Sequence, residues 1–318
     1  MLDQITSRHA LHEAFARVRE NAGCRGADGV TVQAFGERLE VEIDHLQDRI
    51  FRHCYHPFPL LRFSVPKRSA GVRYLAVPTV RDRVLQTAVY LATRERFEAE
   101  LEEQSYAFRQ GRSVRSAVHR VAELRDEGFR WVVEADIDSF FDSVSHQHLL
   151  ERLRRLGFEP YLEELFERWV RAEVYDGRRV YPLDKGLPQG SVLSPALANL
   201  FLDELDEDLV RRGQKVVRYC DDLLILCRRP EEAQAALELT DALLARLELT
   251  LDPEKTRTTS FDQGFKFLGV IFLKDDLYSP YDRPAAPHGA SSLPPPLDLL
   301  TYLESREPDG VHGGPLHH

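Results

Sequence analysis

The sequence predicts a mixed α+β fold in which an antiparallel sheet packs on helices, and three patterns support this prediction. Residues 131–142 (WVVEADIDSFFD) begin as an apolar strand and end in carboxylates. Residues 215–227 (KVVRYCDDLLILC) form two apolar half-strands around Asp221 and Asp222, which predicts a β-hairpin with the acids at its tip. A helix is predicted after the loop KGLPQG (185–190), because apolar residues recur there at a spacing of four. These residues are Leu193, Leu197, Phe201, Leu205 and Leu209.

The composition excludes several classes of protein. Of 318 residues, 43% are hydrophobic and 30% are charged, so the chain can bury a sizeable core and is not a disordered or low-complexity protein. No apolar run is long enough to cross a bilayer, and the charged N-terminal residues do not fit a secretory signal. The four cysteines form no CxxC motif, which disfavours a zinc site or a disulfide framework and favours a cytoplasmic location.

The chain divides into regions of different character. Residues 1–50 are predicted to be helical, and residues 51–130 to hold an extended stretch (FPLLRFSVPK), a strand (RYLAVP) and then two helical runs. Strands and helices alternate in residues 131–275. Residues 283–318 contain seven prolines and four glycines, a composition that predicts a linker or tail.

Charge is distributed unevenly along the chain. The net charge is −10, yet residues 51–130 hold 15 Arg and Lys against 9 Asp and Glu. Because contacts with phosphates are local, such a segment can form a nucleic-acid-binding face within an acidic protein. The alternative is an ordinary solvated surface.

The acidic residues at the predicted strand ends point to metal chemistry. Asp136 follows an apolar strand directly, and Asp221 and Asp222 lie between two apolar half-strands. Acids in such places are unfavourable unless a cation neutralises them, and oxygen ligands suit Mg²⁺. Two such ions can hold the attacking and leaving oxygens of a phosphoryl transfer. An exposed turn is the alternative for any single Asp-Asp pair.

The order of these motifs resembles that of reverse transcriptases. A strand ending in Asp, an LPQG loop before a helix, and a Tyr-x-Asp-Asp hairpin occur in that order. Further blocks along residues 20–275 resemble the group II intron-like branch of bacterial reverse transcriptases. They are GADGVT, VPK, RYLAVPTVRDRVLQTAV, SYAFRQGRSVRSAV, ADIDSFFDSVSH, GLPQGSVLSPALANLF, YCDD, LDPEKT and FKFLGVIF.

The resemblance implies a right-hand polymerase fold. Residues 1–130 would form the N-terminal region and fingers, and residues 131–275 would form a palm whose antiparallel sheet packs on helices. A thumb would be reduced or absent. The implied activity is RNA-directed DNA polymerisation with an RNA template, a DNA or RNA primer, dNTPs and two Mg²⁺ ions, for which Mn²⁺ is a possible substitute. No membrane association is implied.

The resemblance also assigns the reaction centre. Asp136, Asp221 and Asp222 match the metal-binding acids of the family, and the backbone carbonyl of Ile137 would add a ligand. Lys255 matches a lysine near the pyrophosphate leaving group that protonates it. An exposed lysine at a helix end is the alternative.

Four further residues match the nucleotide-binding positions of the family. Lys67 and Arg73 would hold the triphosphate, and Gln189 would line the pocket for the incoming nucleotide. Phe141 would lie under the sugar, where a 2′-hydroxyl would clash with it. One of Phe140 and Phe141 is expected to be a core residue instead.

The run LPQGSVLSPALANLFLDELD resembles the CRISPR-associated branch of these enzymes. That resemblance implies cDNA synthesis for the acquisition of spacers from RNA, with the CRISPR adaptation integrase as partner. In this reading the tail acts as a spacer, and LDLLTYL (297–303) within it is a docking helix. The alternatives are a free-standing group II-like or phage-defence enzyme, a splicing cofactor, and a non-catalytic nucleic-acid-binding scaffold. The tail's alternative is an inert extension.

Overall fold

The computed structural model describes residues 2–66 and 72–278, which contain eleven helices and eleven strands. The helices are α1 (Leu2–Ile5), α2 (Arg8–Glu20), α3 (Val32–Glu37), α4 (Leu39–Phe51), α5 (Val80–Glu100), α6 (Val114–Asp126), α7 (Phe140–Ser143), α8 (His146–Arg155), α9 (Pro160–Val170), α10 (Ser194–Arg211) and α11 (Pro230–Arg246). The strands are β1 (Leu60–Pro66), β2 (Val72–Val77), β3 (Trp131–Asp136), β4 (Glu173–Tyr175), β5 (Val180–Pro182), β6 (Lys215–Tyr219), β7 (Asp222–Cys227), β8 (Arg257–Ser260), β9 (Phe265–Phe267), β10 (Val270–Leu273) and β11 (Asp276–Tyr278).

The described chain forms two compact units, each built from separate stretches of sequence. Unit 1 contains residues 2–66, 72–101 and 139–202, and unit 2 contains residues 102–138 and 203–278. Helix α10 begins in the first unit and ends in the second.

Unit 1 combines a four-stranded sheet with helices. The strand order is β2-β1-β4-β5, with β1 antiparallel to β2 and parallel to β4. Leu60, Ala172 and Val174 form a small apolar cluster on this sheet. Helix α5 begins after Thr79, whose side chain accepts a hydrogen bond from the backbone N–H of Asp82. A hydroxyl at this position satisfies an amide that the helix itself cannot.

Asp82 is the centre of a buried polar network in unit 1. Its carboxylate accepts hydrogen bonds from the Tyr55 hydroxyl at 2.9 Å, the Phe58 backbone N–H at 2.9 Å and the Thr79 hydroxyl at 2.7 Å. Arg81 adds an ion pair at 2.7 Å. A buried charge is unfavourable unless it is paired, and these bonds satisfy the Asp82 carboxylate. They also fix the segment before β1 against the start of α5.

Unit 2 is built on an antiparallel sheet with the order β6-β7-β3-β8. Helix α6 packs against β6, and helix α11 packs against β3 and β7. A smaller sheet has the order β11-β10-β9 and contributes Phe265 and Phe272, whose rings stack at 5.0 Å. These aromatic rings belong to the same apolar cluster as Val132 and Leu224 of the larger sheet, so both sheets share one core.

The predicted mixed α+β class, the antiparallel sheet with its hairpin, and the helix after LPQG are confirmed. That helix begins at Ser194, so Leu193 lies just before it. The predicted domain bounds and the reduced thumb stay predictions. Lys67 and residues 283–318, including 297–303, lie outside the described residues. Within the described ranges, no helix has the length and hydropathy needed to cross a bilayer.

Candidate active site

The acids of unit 2 meet at one end of its sheet. The antiparallel register places Asp136, the last residue of β3, directly opposite Asp222, the first residue of β7. The β6–β7 hairpin closes between Tyr219 and Asp222, so that Asp221 lies in the turn itself. Residues directly opposite in antiparallel strands have their Cβ atoms about 4.5–5.5 Å apart. The sheet therefore brings together acids that lie far apart in the sequence.

The turn between β6 and β7 has an unusual backbone. Cys220 adopts φ +62°, in the left-handed region that side chains other than glycine rarely occupy. Its side chain is buried. A conformation of this kind costs about 1–3 kcal/mol and persists only where the surroundings impose it. Cys220 thus orients a tight turn that presents Asp221 next to Asp222.

A second segment fixes the end of β3. The backbone N–H of Asp252 donates to the carbonyl of Asp136 at 2.8 Å, and the N–H of Asp138 donates to the carbonyl of Thr250 at 2.9 Å. Between these bonds, Ile137 forms an antiparallel bridge with Leu251, and the Ile137 side chain is buried. The backbone around the predicted carbonyl ligand is consequently well defined.

Lys255 contacts two of the acids of this region. Its Nζ donates to Oδ2 of Asp136 at 2.8 Å and forms an ion pair with Oδ2 of Asp252 at 3.0 Å. Lys255 lies in a turn after Asp252 and not at the end of a helix, and its side chain is 63% exposed. Its role at the leaving group stays a prediction.

The electrostatics of this end of the sheet are unbalanced. Surrounding protein atoms desolvate the Asp222 carboxyl, although it keeps contact with solvent, and raise its pKa to about 6; repulsion from Asp221 and Asp136 adds to the shift. Burial also raises the pKa of Asp136 from its ordinary value, against the opposing effect of Lys255. Hydrogen bonds to Asp136 and Asp252 raise the pKa of Lys255 well above its usual range.

The donor set has the chemistry that Mg²⁺ requires. Asp136, Asp221 and Asp222 offer carboxylate oxygens, and burial, with added repulsion from Asp221 and Asp136, disfavours the charged form of Asp222. Among residues 2–66 and 72–278, no three or more His, Cys, Asp or Glu side chains are already arranged to hold a metal. The acids are suited to a cation, and Asp136 would exchange its bond to Lys255 for one.

The LPQG loop of unit 1 is held by backbone hydrogen bonds. The N–H of Leu187 donates to the carbonyl of Phe141 at 2.6 Å, and the N–H of Gly186 donates to that of Val144 at 2.7 Å. On the other side, Gln189 accepts at its carbonyl from the N–H of Ala76 at 2.8 Å. The loop thereby connects the segment containing Phe141 with strand β2, which contains Arg73.

Glycine is required at the start of this loop. Gly186 has φ +90°, and a Cβ at that position would lie 2.8 Å from the carbonyl oxygen of Phe141. Neither the conformation nor the space suits another residue. The loop can approach the Phe141 segment so closely only because residue 186 lacks a side chain.

The two phenylalanines of this segment have different environments. Phe140 is only 2% exposed, and its ring lies 6.3 Å from that of Phe201. Phe141 is half-buried, with its ring 5.3 Å from that of Phe140. Phe140 is therefore the core residue of the pair, and Phe141 remains the predicted contact with the sugar.

The predicted residues fall into two sets. Unit 2 holds Asp136, Ile137, Asp221, Asp222 and Lys255, and unit 1 holds Arg73, Phe141 and Gln189.

Sequence reasoning missed Asp252, whose carboxylate holds Lys255. The spacing of three residues between Asp252 and Lys255 in LDPEKT was a usable signal for this pair. It also missed His146, whose Nε2 lies 2.7 Å from the carbonyl of Gly186.

Comparison with known proteins identifies a family. Residues 65–272 match the family described as "Reverse transcriptase (RNA-dependent DNA polymerase)". The chain is 30% identical over 315 residues to "Protein YkfC" of Escherichia coli K12, covering 86% of this chain and 83% of that protein. It is 29% identical over 201 residues to "Group II intron-encoded protein LtrA" of Lactococcus lactis, covering 63% of this chain but only 33% of that protein.

The chain also matches parts of solved structures, of which two are described. A partial Cas6-RT-Cas1–Cas2 complex is 31% identical, with a TM-score of 0.48 over 78% of this chain and 41% of that one. The apo telomerase of Candida tropicalis is 12% identical, with a TM-score of 0.56 over 71% of this chain and 49% of that one. The likeness to telomerase is one of fold.

Proposed function

The chain belongs to the reverse transcriptase family, and on that premise we propose that it copies RNA into DNA by extending a primer with dNTPs. The main observation in support is the placement of Asp136 opposite Asp222, with Asp221 in the adjoining turn. A nucleic-acid-binding scaffold would gain nothing from such mutually repelling carboxylates.

In the proposed reaction, the primer 3′-hydroxyl gives its proton to a water molecule, and its oxygen attacks the α-phosphorus of the dNTP. A phosphodiester bond forms as the bond to the bridging oxygen of pyrophosphate breaks. Asp136, Asp221, Asp222 and the carbonyl of Ile137 would hold two Mg²⁺ ions, which supply charge stabilisation at the attacking and leaving oxygens. Mn²⁺ is expected to substitute for Mg²⁺.

Lys255 is proposed to deliver a proton to the leaving pyrophosphate. While it is paired with Asp136 and Asp252, its raised pKa makes it a poor acid. Loss of the bond to Asp136 removes the largest cause of that shift and brings the pKa nearer to its usual range. Binding of a cation by Asp136 would thus release Lys255 for its role.

The nucleotide-binding residues are proposed to act through position. Arg73 and Lys67 would pair with the triphosphate, and Gln189 would border the nucleotide pocket. Phe141 would exclude a 2′-hydroxyl by contact with the sugar. The backbone bonds between the LPQG loop, β2 and the Phe141 segment support this reading, since they hold three of the four positions in one framework.

As a finer proposal, the cDNA serves the acquisition of CRISPR spacers from RNA, with the adaptation integrase as partner. Its support is the resemblance of the run LPQGSVLSPALANLFLDELD to CRISPR-associated enzymes. The alternatives are a group II-like or phage-defence enzyme and a splicing cofactor.

Primer extension tests the proposed activity. Purified protein is incubated with a primer annealed to an RNA template, dNTPs and Mg²⁺, and Asp221→Asn serves as the inactive control. Extension by the wild type, and none by Asp221→Asn or with excess EDTA, is expected. If the wild type extends neither a DNA primer nor an RNA primer, polymerase activity is excluded. The non-catalytic nucleic-acid-binding scaffold is then favoured. Failure to co-purify with the adaptation integrase would remove only the CRISPR role.

A further inference from the structure

Arg218 is a fully buried arginine beside the catalytic turn. It lies on β6, three residues before Asp221, and its relative exposure is 0%. Its Nε donates to both carboxylate oxygens of Asp206 at 2.9 Å, and its Nη2 donates to Oδ2 at 2.5 Å. Burial alone would lower the arginine pKa, but Asp206 outweighs that effect and raises it, so the guanidinium keeps its charge.

The same guanidinium holds the turn. Its Nη1 donates to the carbonyl of Cys220 at 2.9 Å. That carbonyl belongs to the peptide group that Cys220 shares with Asp221, so the bond fixes the peptide plane immediately before the carboxylate. Cys220 is also the residue with the strained φ of +62°. Strain of this kind persists only where neighbouring groups impose it, and the Arg218 bond is such a constraint.

Residues 104–106 hold Arg218 from the outer side of β6. The backbone N–H of Arg218 donates to the carbonyl of Gln104 at 2.8 Å, and the N–H of Tyr106 donates to the carbonyl of Arg218 at 2.9 Å. The Ser105 hydroxyl accepts a hydrogen bond from Nη2 of Arg218 at 2.9 Å. This pairing gives the block SYAFRQG, which the proposed chemistry does not use, a defined structural partner.

We infer that Arg218 is a positioning residue for polymerisation, which Asp206 and residues 104–106 hold in place so that it orients the Cys220–Asp221 peptide for cation binding. A buried ion pair is seldom more stabilising than apolar residues of the same size, so the pair's contribution is one of orientation more than stability. This inference rests on the proposed function. Lysine cannot replace arginine here, because its single ammonium cannot serve Asp206, Ser105 and Cys220 with the same planar fork.

The test uses Arg218→Lys and the isosteric Asp206→Asn. Arg125→Lys is the matched control, because Arg125 is also buried in unit 2, pairs with Asp126 at 2.8 Å and donates to the carbonyl of Asp275 at 2.7 Å. Primer extension on an RNA template is measured against Mg²⁺ and dNTP concentration. The temperature is one at which circular dichroism shows each variant to be folded.

Both test variants are expected to lose about 10–100-fold in kcat, and to need a several-fold higher Mg²⁺ concentration for the half-maximal rate. The KM for dNTP should stay within about two-fold of wild type, because the nucleotide-binding residues of unit 1 are unchanged. Arg125→Lys should match the wild type in all three quantities.

Two results would overturn the inference. One is a folded Arg218→Lys or Asp206→Asn protein with wild-type kcat and Mg²⁺ dependence. The other is failure of both variants to fold even at 10 °C, which would make the pair a folding requirement. Inactivity of the wild type would instead defeat the proposed function, so the two failures are distinguishable.

Discussion

The acid end of unit 2 and the LPQG loop of unit 1 are held in place by different forces. The acid end carries side-chain charges that repel one another, and the ion pairs of Lys255 only partly offset them. The LPQG loop is held by backbone hydrogen bonds to Phe141, Val144 and Ala76. Conservative side-chain substitutions at the acid end should therefore alter the chemistry. Substitutions that restrict the backbone of the LPQG loop should instead alter folding.

The largest effect on stability should come from the buried phenylalanine of the Phe140–Phe141 segment, which the LPQG loop contacts. Phe140→Ala removes a fully buried ring and should destabilise the protein by about 3–5 kcal/mol, whereas the half-buried Phe141 should cost less when it is replaced by alanine. Urea unfolding measures both.

Substitutions of the same two phenylalanines should distinguish core packing from the selection of nucleotides. Phe141→Ala should relax the discrimination against ribonucleotides, and Phe140→Ala should leave it unchanged wherever that variant is folded. The measurement is the ratio of rNTP to dNTP incorporation. An unchanged ratio in Phe141→Ala would assign the sugar contact to another residue.

The next largest loss of stability should come from the close approach of Gly186 to the carbonyl of Phe141. Gly186 and Gly177 have nearly the same φ, +90° and +91°, but only Gly186 has a backbone atom in the way of a Cβ. Gly177→Ala should cost about 1 kcal/mol from the backbone conformation alone. Gly186→Ala should cost about 2–4 kcal/mol, because it adds a steric clash. Equal losses in urea unfolding would show that the loop can move away.

Much of this arrangement could be predicted from the sequence. The apolar run that begins at residue 131 predicted β3, and the two apolar half-strands around Asp221 and Asp222 predicted β6 and β7. The position of the acids at the strand ends followed from strand geometry. The Arg218–Asp206 pair could not be predicted. It joins a strand to a helix through the fold, and an arginine in an apolar strand gives no sign of which acid neutralises it. The sequence also left open which of Phe140 and Phe141 is a core residue, and their burial decides it.

The smallest effect concerns the stability of the acid end. The pKa of Asp222 is about 6 in the folded protein, against an ordinary value of 3.8, so the folded state binds the extra proton. Stability is therefore lost as the pH rises from about 4 to above 6. In metal-free buffer, Asp222→Asn should be more stable than wild type at pH 7.5 by up to about 1 kcal/mol, after allowance for solvent screening.

The gain from Asp222→Asn should shrink at pH 5, where part of the wild-type population is already protonated. Thermal unfolding in EDTA at the two pH values provides the comparison. If Asp222→Asn stabilises the protein equally at pH 5 and pH 7.5, the charge of Asp222 is not the source of the gain in stability.

The central claim is that Asp136, Asp221 and Asp222 together hold the cations of polymerisation. The most direct measurement is the number of Mn²⁺ ions bound per chain, counted by electron paramagnetic resonance in the presence of primer, RNA template and a non-hydrolysable dNTP. The account predicts two ions for the wild type and a loss of binding in Asp221→Asn, with Asp126→Asn, a surface acid of unit 2, unchanged. Equal Mn²⁺ binding by the wild type and Asp221→Asn would contradict it.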